Sequence, residues 1–171
     1  MLRWLIRKRL ATAEKTLGGS VDYLRHILDV SLPAFLKFVK IMPLAEYRRT
    51  LPAEPYHVAR IVATRHEDCG PCVQMEVNLA KAAGLDPAVL RAVLGANPDA
   101  LREDLSEAYR FAEAVVTRSG AEDHLREQIR RRYGEAGLIE LALAIAVCRV
   151  FPSTKRALGY ATSCSRVTVQ V

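Results

Sequence analysis

A proline held between two cysteines constrains this chain more than any other feature. In Cys69-Gly-Pro-Cys72, Pro71 has a fixed φ and no amide hydrogen, which suits it to the first turn of a helix. The stretch before it, His57 to His66, puts Val58, Ile61 and Val62 at helical spacing. The stretch after it, Val73 to Ala83, contains neither Gly nor Pro and ends at Gly84, a natural residue just past a helix C-terminus. The two thiols are therefore expected at a helix-to-helix junction.

The same tetrapeptide occurs in thioredoxin folds, where it follows a β-strand within a βαβ pattern. Here the preceding segment is Ala-rich with helical periodicity, and the rest of the chain carries almost no strand signal. The thioredoxin fold is excluded and an all-α, bundle-like single domain is expected. Composition agrees. Ala, Leu, Arg and Glu dominate, half the residues are apolar and only 6% are aromatic, a mixture that favours helix over sheet. At 171 residues the chain is large enough to bury a real core.

Helices are expected from Leu2 to Leu17, stopped by Gly18-Gly19; from Ser20 as a cap, with Val21, Leu24, Ile27 and Leu28 on one face; and from Pro33 to an interruption at Pro43. Arg48 to Pro55, with two prolines, reads as a connection. Asp86-Pro87 caps a helix reaching Leu94, and further helices cover about 99–118, 122–133, 135–150 and 153–160, the last two broken at Phe151-Pro152. The resulting organisation is a helical arm over 1–50, part of the same domain or an oligomerisation element, a helical core over 51–163 and a tail over 164–171.

A net charge of +6 invites a nucleic-acid reading. The basic residues are interleaved with Glu and Asp and show no recognition-motif spacing, so solvated helix faces explain them and no nucleic-acid partner is expected. No stretch reaches membrane-spanning length; Leu138 to Val150, interrupted by Glu140 and Arg149, reads as a core helix. The basic, apolar start Met1-Leu-Arg-Trp-Leu-Ile-Arg-Lys-Arg9 has no separate apolar region and is not a secretory signal. It suits either an anionic membrane surface or, the preferred reading, a helix docking on a neighbouring subunit. A cytoplasmic location follows, with the C-x-x-C serving catalysis or metal rather than structural cross-linking.

The amide groups at a helix N-terminus favour a thiolate, and C-x-x-C settings lower a Cys pKa to roughly 3.5–7.5. A dithiol/disulfide switch is the leading reading. Zinc bound by Cys69 and Cys72 with His57 or His66 is the alternative, weakened by the lack of a second C-x-x-C. Cys148 lies in the apolar run Leu141–Val150 and reads as core, while Cys164 reads as a bystander thiol.

The run from His57 through Cys69-Gly-Pro-Cys72 to Glu76, followed by Ala80-Lys-Ala-Ala-Gly-Leu-Asp86, resembles the alkylhydroperoxidase D-like branch of the carboxymuconolactone decarboxylase superfamily, with its pattern Glu-x11-Cys-x-x-Cys-x3-His. The resemblance covers about residues 50–162. It departs at two places: His57 stands where the family has Glu, and Glu76 where it has His, so both members of the pair are present with positions exchanged. The resemblance implies a thiol-dependent peroxidase or disulfide reductase. Cys72 attacks a hydroperoxide, Cys69 resolves the product into a disulfide, and an external dithiol or thiol protein restores the pair, with no bound cofactor or metal. It implies homo-oligomers, as dimer, trimer or hexamer. His57 and Glu76 would form a coupled acid/base pair, with His57 the preferred proton acceptor and His66 a secondary candidate. Two other functions stand beside this one. One is a zinc-bound or redox-sensing helical adaptor without turnover; the other is a lactone decarboxylase, which would leave the cysteine pair unexplained.

Overall fold

The computed structural model describes residues 1–161, and Cys164 and the tail lie outside them. Those residues are all-helical, with no strand among them. The arm comprises α1 (Leu2–Leu17), α2 (Asp22–Val30), α3 (Leu32–Phe38), a 3-10 turn (Val39–Ile41) and the short α4 (Met42–Ala45). The core comprises α5 (Ala53–Arg65), α6 (Gly70–Ala82), α7 (Pro87–Leu94), a 3-10 turn (Pro98–Ala100), α8 (Glu103–Thr117) and α9 (Glu122–Ala157).

Local chemistry sets most of these boundaries. Asp86 accepts the Ala88 amide at 2.6 Å and Ser31 accepts the Ala34 amide at 3.3 Å, each satisfying a donor that a helix start leaves free. Ser20, two residues before α2, accepts the Asp22 amide at 3.1 Å. Gly18 ends α1 with φ of 70°, and a Cβ there would approach Asn78 Nδ2 to 2.7 Å. The turn between α1 and α2 thus seats closely on α6, Gly19 facing the carbonyl of Pro71.

Helix α5 runs through the centre of the core. Val58, Ala59, Ile61, Val62 and Ala63 are all fully buried, packed among α6, α8 and α9 with Val77, Leu105, Ile129 and Leu141. The arm holds a separate apolar cluster of Leu10, Val21, Leu28 and Phe35. A third cluster, Ala45, Val147 and Phe151 with Phe38 and Ile41, joins arm to core. Tyr23, Phe38 and Phe151 meet edge-to-face at 6.2 and 6.1 Å, and Lys155 Nζ lies 5.3 Å from the centre of the Tyr23 ring. The connection between α4 and α5 is pinned by Glu140, which accepts the amides of Thr50 and Leu51 at 2.8–3.0 Å.

Three expectations need correction. Pro43 starts α4 rather than ending a helix, because its position in the first turn needs no amide donor. Pro152 does not break the chain: α9 passes through it and instead departs from helical geometry at Gly134, with φ of 71° and ψ of 178°. The segment around Pro152 is held by burial of Phe151 and by side-chain bonds from Arg149, Ser153 and Arg156 to the turn at Glu67. As a result α9 is long and apolar enough to cross a membrane by length and composition, although no stretch was expected to be. Half of its apolar window is buried inside the molecule, and Glu140 and Arg149 are bonded within it, as in a core helix.

Candidate redox site

Helices α5 and α6 form a hairpin whose turn carries the cysteine motif. Asp68 adopts the left-handed conformation, φ 49°, and delivers the chain into α6. The turn is clamped from α9. Glu67 accepts Arg149 Nε at 2.5 Å and Ser153 Oγ at 3.0 Å, and Arg156 donates to the carbonyls of Glu67 and Asp68.

Cys69 is the residue preceding α6, and its carbonyl accepts the amides of Cys72 and Val73, both at 2.9 Å. Pro71 occupies the first turn, where its missing donor costs nothing. Cys69 and Cys72 are disulfide-bonded, with Cα atoms 5.3 Å apart, inside the usual range for such a bond. Both are buried, at 3% and 1% exposure.

Glu76 is one turn beyond Cys72 on α6 and is also buried. Both of its oxygens are taken by Arg60 of α5, through Nε and Nη2 at 2.8 Å each. Arg60 also donates from Nη1 to the Tyr56 hydroxyl at 2.8 Å and to the carbonyl of Ala45, while Tyr56 donates to that carbonyl at 2.5 Å. The network therefore ties α4, α5 and α6 together beside the sulfurs. Burial works against the guanidinium, but the carboxylate of Glu76 outweighs it and drives the Arg60 pKa upward, so the guanidinium keeps its charge.

His57 is half-buried at the start of α5, its ring edge-on to Tyr56 at 5.2 Å. Nδ1 is buried without a hydrogen-bond partner. Burial, with the positive charges of Arg60 and Arg48, pulls its pKa down to about 4. The expected His57–Glu76 pair is not formed; Arg60 takes the place assigned to His57. The reason is chemical. A guanidinium keeps its charge when buried and matches a carboxylate with two parallel bonds, whereas a buried imidazole sheds its proton. His57 is thereby left neutral at physiological pH and a weaker base than an ordinary imidazole. His66 follows α5 directly and is exposed.

Sequence reasoning missed Arg60 and Tyr56. The signal was available: Arg60 is the sole charged residue in the apolar run Val58 to Ala63, and a charge in such a run needs a buried partner. Cys148 is core, as expected. Its thiol donates to the Ile145 carbonyl at 3.4 Å, and burial, then the nearby Glu76 carboxylate, push its pKa up to about 12. It is therefore an unreactive thiol. Among the described residues, no three His, Cys, Asp or Glu side chains gather as a metal-ligand cluster, so Cys69 and Cys72 do not form one with His57 or His66. Set against models of protein families, curated proteins and solved structures, the chain matches none.

Proposed function

We propose that this chain is a thiol-dependent oxidoreductase of the alkylhydroperoxidase D-like kind, with Cys69 and Cys72 as its redox pair. The observation that carries the reading is the bond between Cys69, just before α6, and Cys72 in its first turn, one turn from a buried ion pair. In the reduced form, the Cys72 thiolate attacks the terminal oxygen of a hydroperoxide. The O–O bond breaks, an alkoxide leaves and takes up a proton, and sulfur is oxidised to sulfenic acid. The Cys69 thiolate then attacks that sulfur, the S–O bond breaks, water leaves, and the disulfide forms. An external dithiol restores both thiols by exchange and is itself oxidised to a disulfide.

The helix N-terminus favours the Cys72 thiolate. Glu76 would oppose it, and Arg60 cancels that opposition by neutralising the carboxylate. His57 is neutral above about pH 4 and too weak a base to hold a thiol proton, so the proton leaving Cys72 passes to solvent. The proposal includes homo-oligomeric assembly in a cytoplasmic setting.

Hydroperoxide consumption with a panel of dithiol donors tests the reading. Cys72→Ser is expected to abolish turnover, and Cys69→Ser to accumulate Cys72 as a sulfenic acid or mixed disulfide, detected by mass spectrometry. Unchanged turnover in Cys72→Ser would overturn it. The burial of both cysteines favours a second reading, a redox-sensing adaptor. In that case peroxide removes two titratable thiols per chain without sustained consumption.

A further inference from the structure

The first helix buries one side and leaves an equally apolar side uncovered. Leu10 belongs to the arm's own cluster, Ile6 packs half-buried against it, and Ala13 on the same side is half-buried, so the inward face of α1 is already partnered. Met1, Trp4, Leu5 and Lys8 share the outward side at spacings of three, four and seven residues, with Leu2 and Arg9 flanking them. Leu2, Trp4 and Leu5 are exposed to 54%, 58% and 53%. Packing of the described chain gives no reason for these side chains to be apolar.

Charge decides what the face fits. Arg3, Arg7, Lys8 and Arg9 fall within the first nine residues and no acid does. Lys8 Nζ lies 4.0 Å from the centre of the Trp4 ring. Arg3 and Arg7 both reach back to Asp29 of α2, through its carbonyl and carboxylate respectively, which orients the helix against the arm. An isologous contact with a second copy would bring Lys8 and Arg9 against their own counterparts. A nucleic-acid backbone would meet the cations but not the exposed leucines between them. A bilayer with anionic headgroups meets both: lysine and arginine reach the phosphates while leucine and tryptophan enter the headgroup–acyl boundary.

We propose that the outward face of α1, built from Met1, Leu2, Trp4, Leu5, Lys8 and Arg9, docks the protein in-plane on an anionic phospholipid surface. This places the arm at the membrane and does not depend on the redox chemistry.

Trp4 is the chain's single tryptophan, so its fluorescence reports on this face alone. The full-length protein is mixed with vesicles of phosphatidylcholine containing 30 mol% phosphatidylserine, in parallel with pure phosphatidylcholine. A blue shift and co-sedimentation with the anionic vesicles alone, both weakening as salt rises, are expected. The double variant K8Q/R9Q should lose about thirtyfold in partitioning, the fold-change for two surface cations at about 1 kcal/mol each. Leu5→Ser should lose binding while keeping the circular dichroism of the wild type, since that side chain is exposed. Absence of a shift with anionic vesicles overturns the proposal, and so does equal binding to neutral ones. A shift that grows with protein concentration without lipid, accompanied by a doubled mass in light scattering, overturns it in favour of a second copy.

Discussion

Arg60 and Glu76 are each almost fully enclosed, and each is tolerable only because of the other. Removing one partner from a buried pair strands the remaining charge and costs about 3–5 kcal/mol, whereas replacing both with apolar groups is often nearly neutral. Glu76→Gln should therefore lower stability by an amount in that range, read as a shift in the urea midpoint. Arg60→Met combined with Glu76→Leu should cost much less than the sum of the single changes. The bond from Tyr56 to the Ala45 carbonyl survives in the double variant and keeps α4 anchored. Additive losses would show that the two side chains do not act as one unit. In the same pair Arg60 neutralises the carboxylate one turn from Cys72 on α6, so its stability role and its electrostatic role are inseparable at that position.

Helix α9 shows how an element can be bent at one place and carried straight through another. At Gly134 the backbone enters a region open essentially to glycine alone. This bend separates the span ending at Tyr133 from the span that covers α5 and the arm. Gly134→Ala should cost roughly 1–3 kcal/mol, and each kcal/mol should lower the melting temperature by about 2–4 °C for a chain of this size. An unchanged melting temperature would mean that the bend relaxes without penalty. Pro152, by contrast, has no amide hydrogen for the ladder, yet it is buried and the helix continues past it. Arg149, Ser153 and Arg156 bracket it and all bond the α5–α6 turn. The clamp that holds the cysteine motif thus also holds the helix at its weakest residue.

At the scale of the whole molecule, His57 and Glu140 are two buried or half-buried groups that shape the response to acid. The His57 imidazole has an ordinary pKa of 6.5 and falls to about 4 in the folded protein. The unfolded chain therefore binds more protons between those values. Stability is full above about pH 6.5 and declines as the pH falls towards 4, by an amount on the order of 2 kcal/mol for a ring that is not fully enclosed. Glu140 acts lower down. Burial opposes its ionisation, but the amides of Leu51, Thr50 and Arg49 prevail and hold its carboxyl below the ordinary 4.5. The stability it contributes is present above that value and lost beneath it. Urea midpoints between pH 7.5 and pH 3.5 should show both declines, and His57→Gln should flatten the stretch between 6.5 and 5 while leaving the lower one. A variant that keeps the full slope over that stretch would assign it to another group.

The sequence alone determined the helical character, the starts of α1, α2, α3, α6, α7 and α9 to within two residues, the connection between arm and core, and the placement of Cys69 and Cys72 at a helix entrance. All of these rest on local rules: the fixed φ of Pro71 and Pro87, the Asp86 cap, the left-handed Gly18 and the periodicity of Val58, Ile61 and Val62. Tertiary structure decided what those rules do not reach. Arg60 rather than His57 partners Glu76, and Pro152 lies within a helix because α9 is stapled to the Glu67 turn. The break at Gly134 was already legible as the end of the 122–133 helix; only the continuity through Pro152 was not. Residue spacing shows which side chains share a helix face. Only the packing of one helix against another selects which charged group finds its partner there, because burial penalises every unpaired charge alike and leaves the choice to geometry.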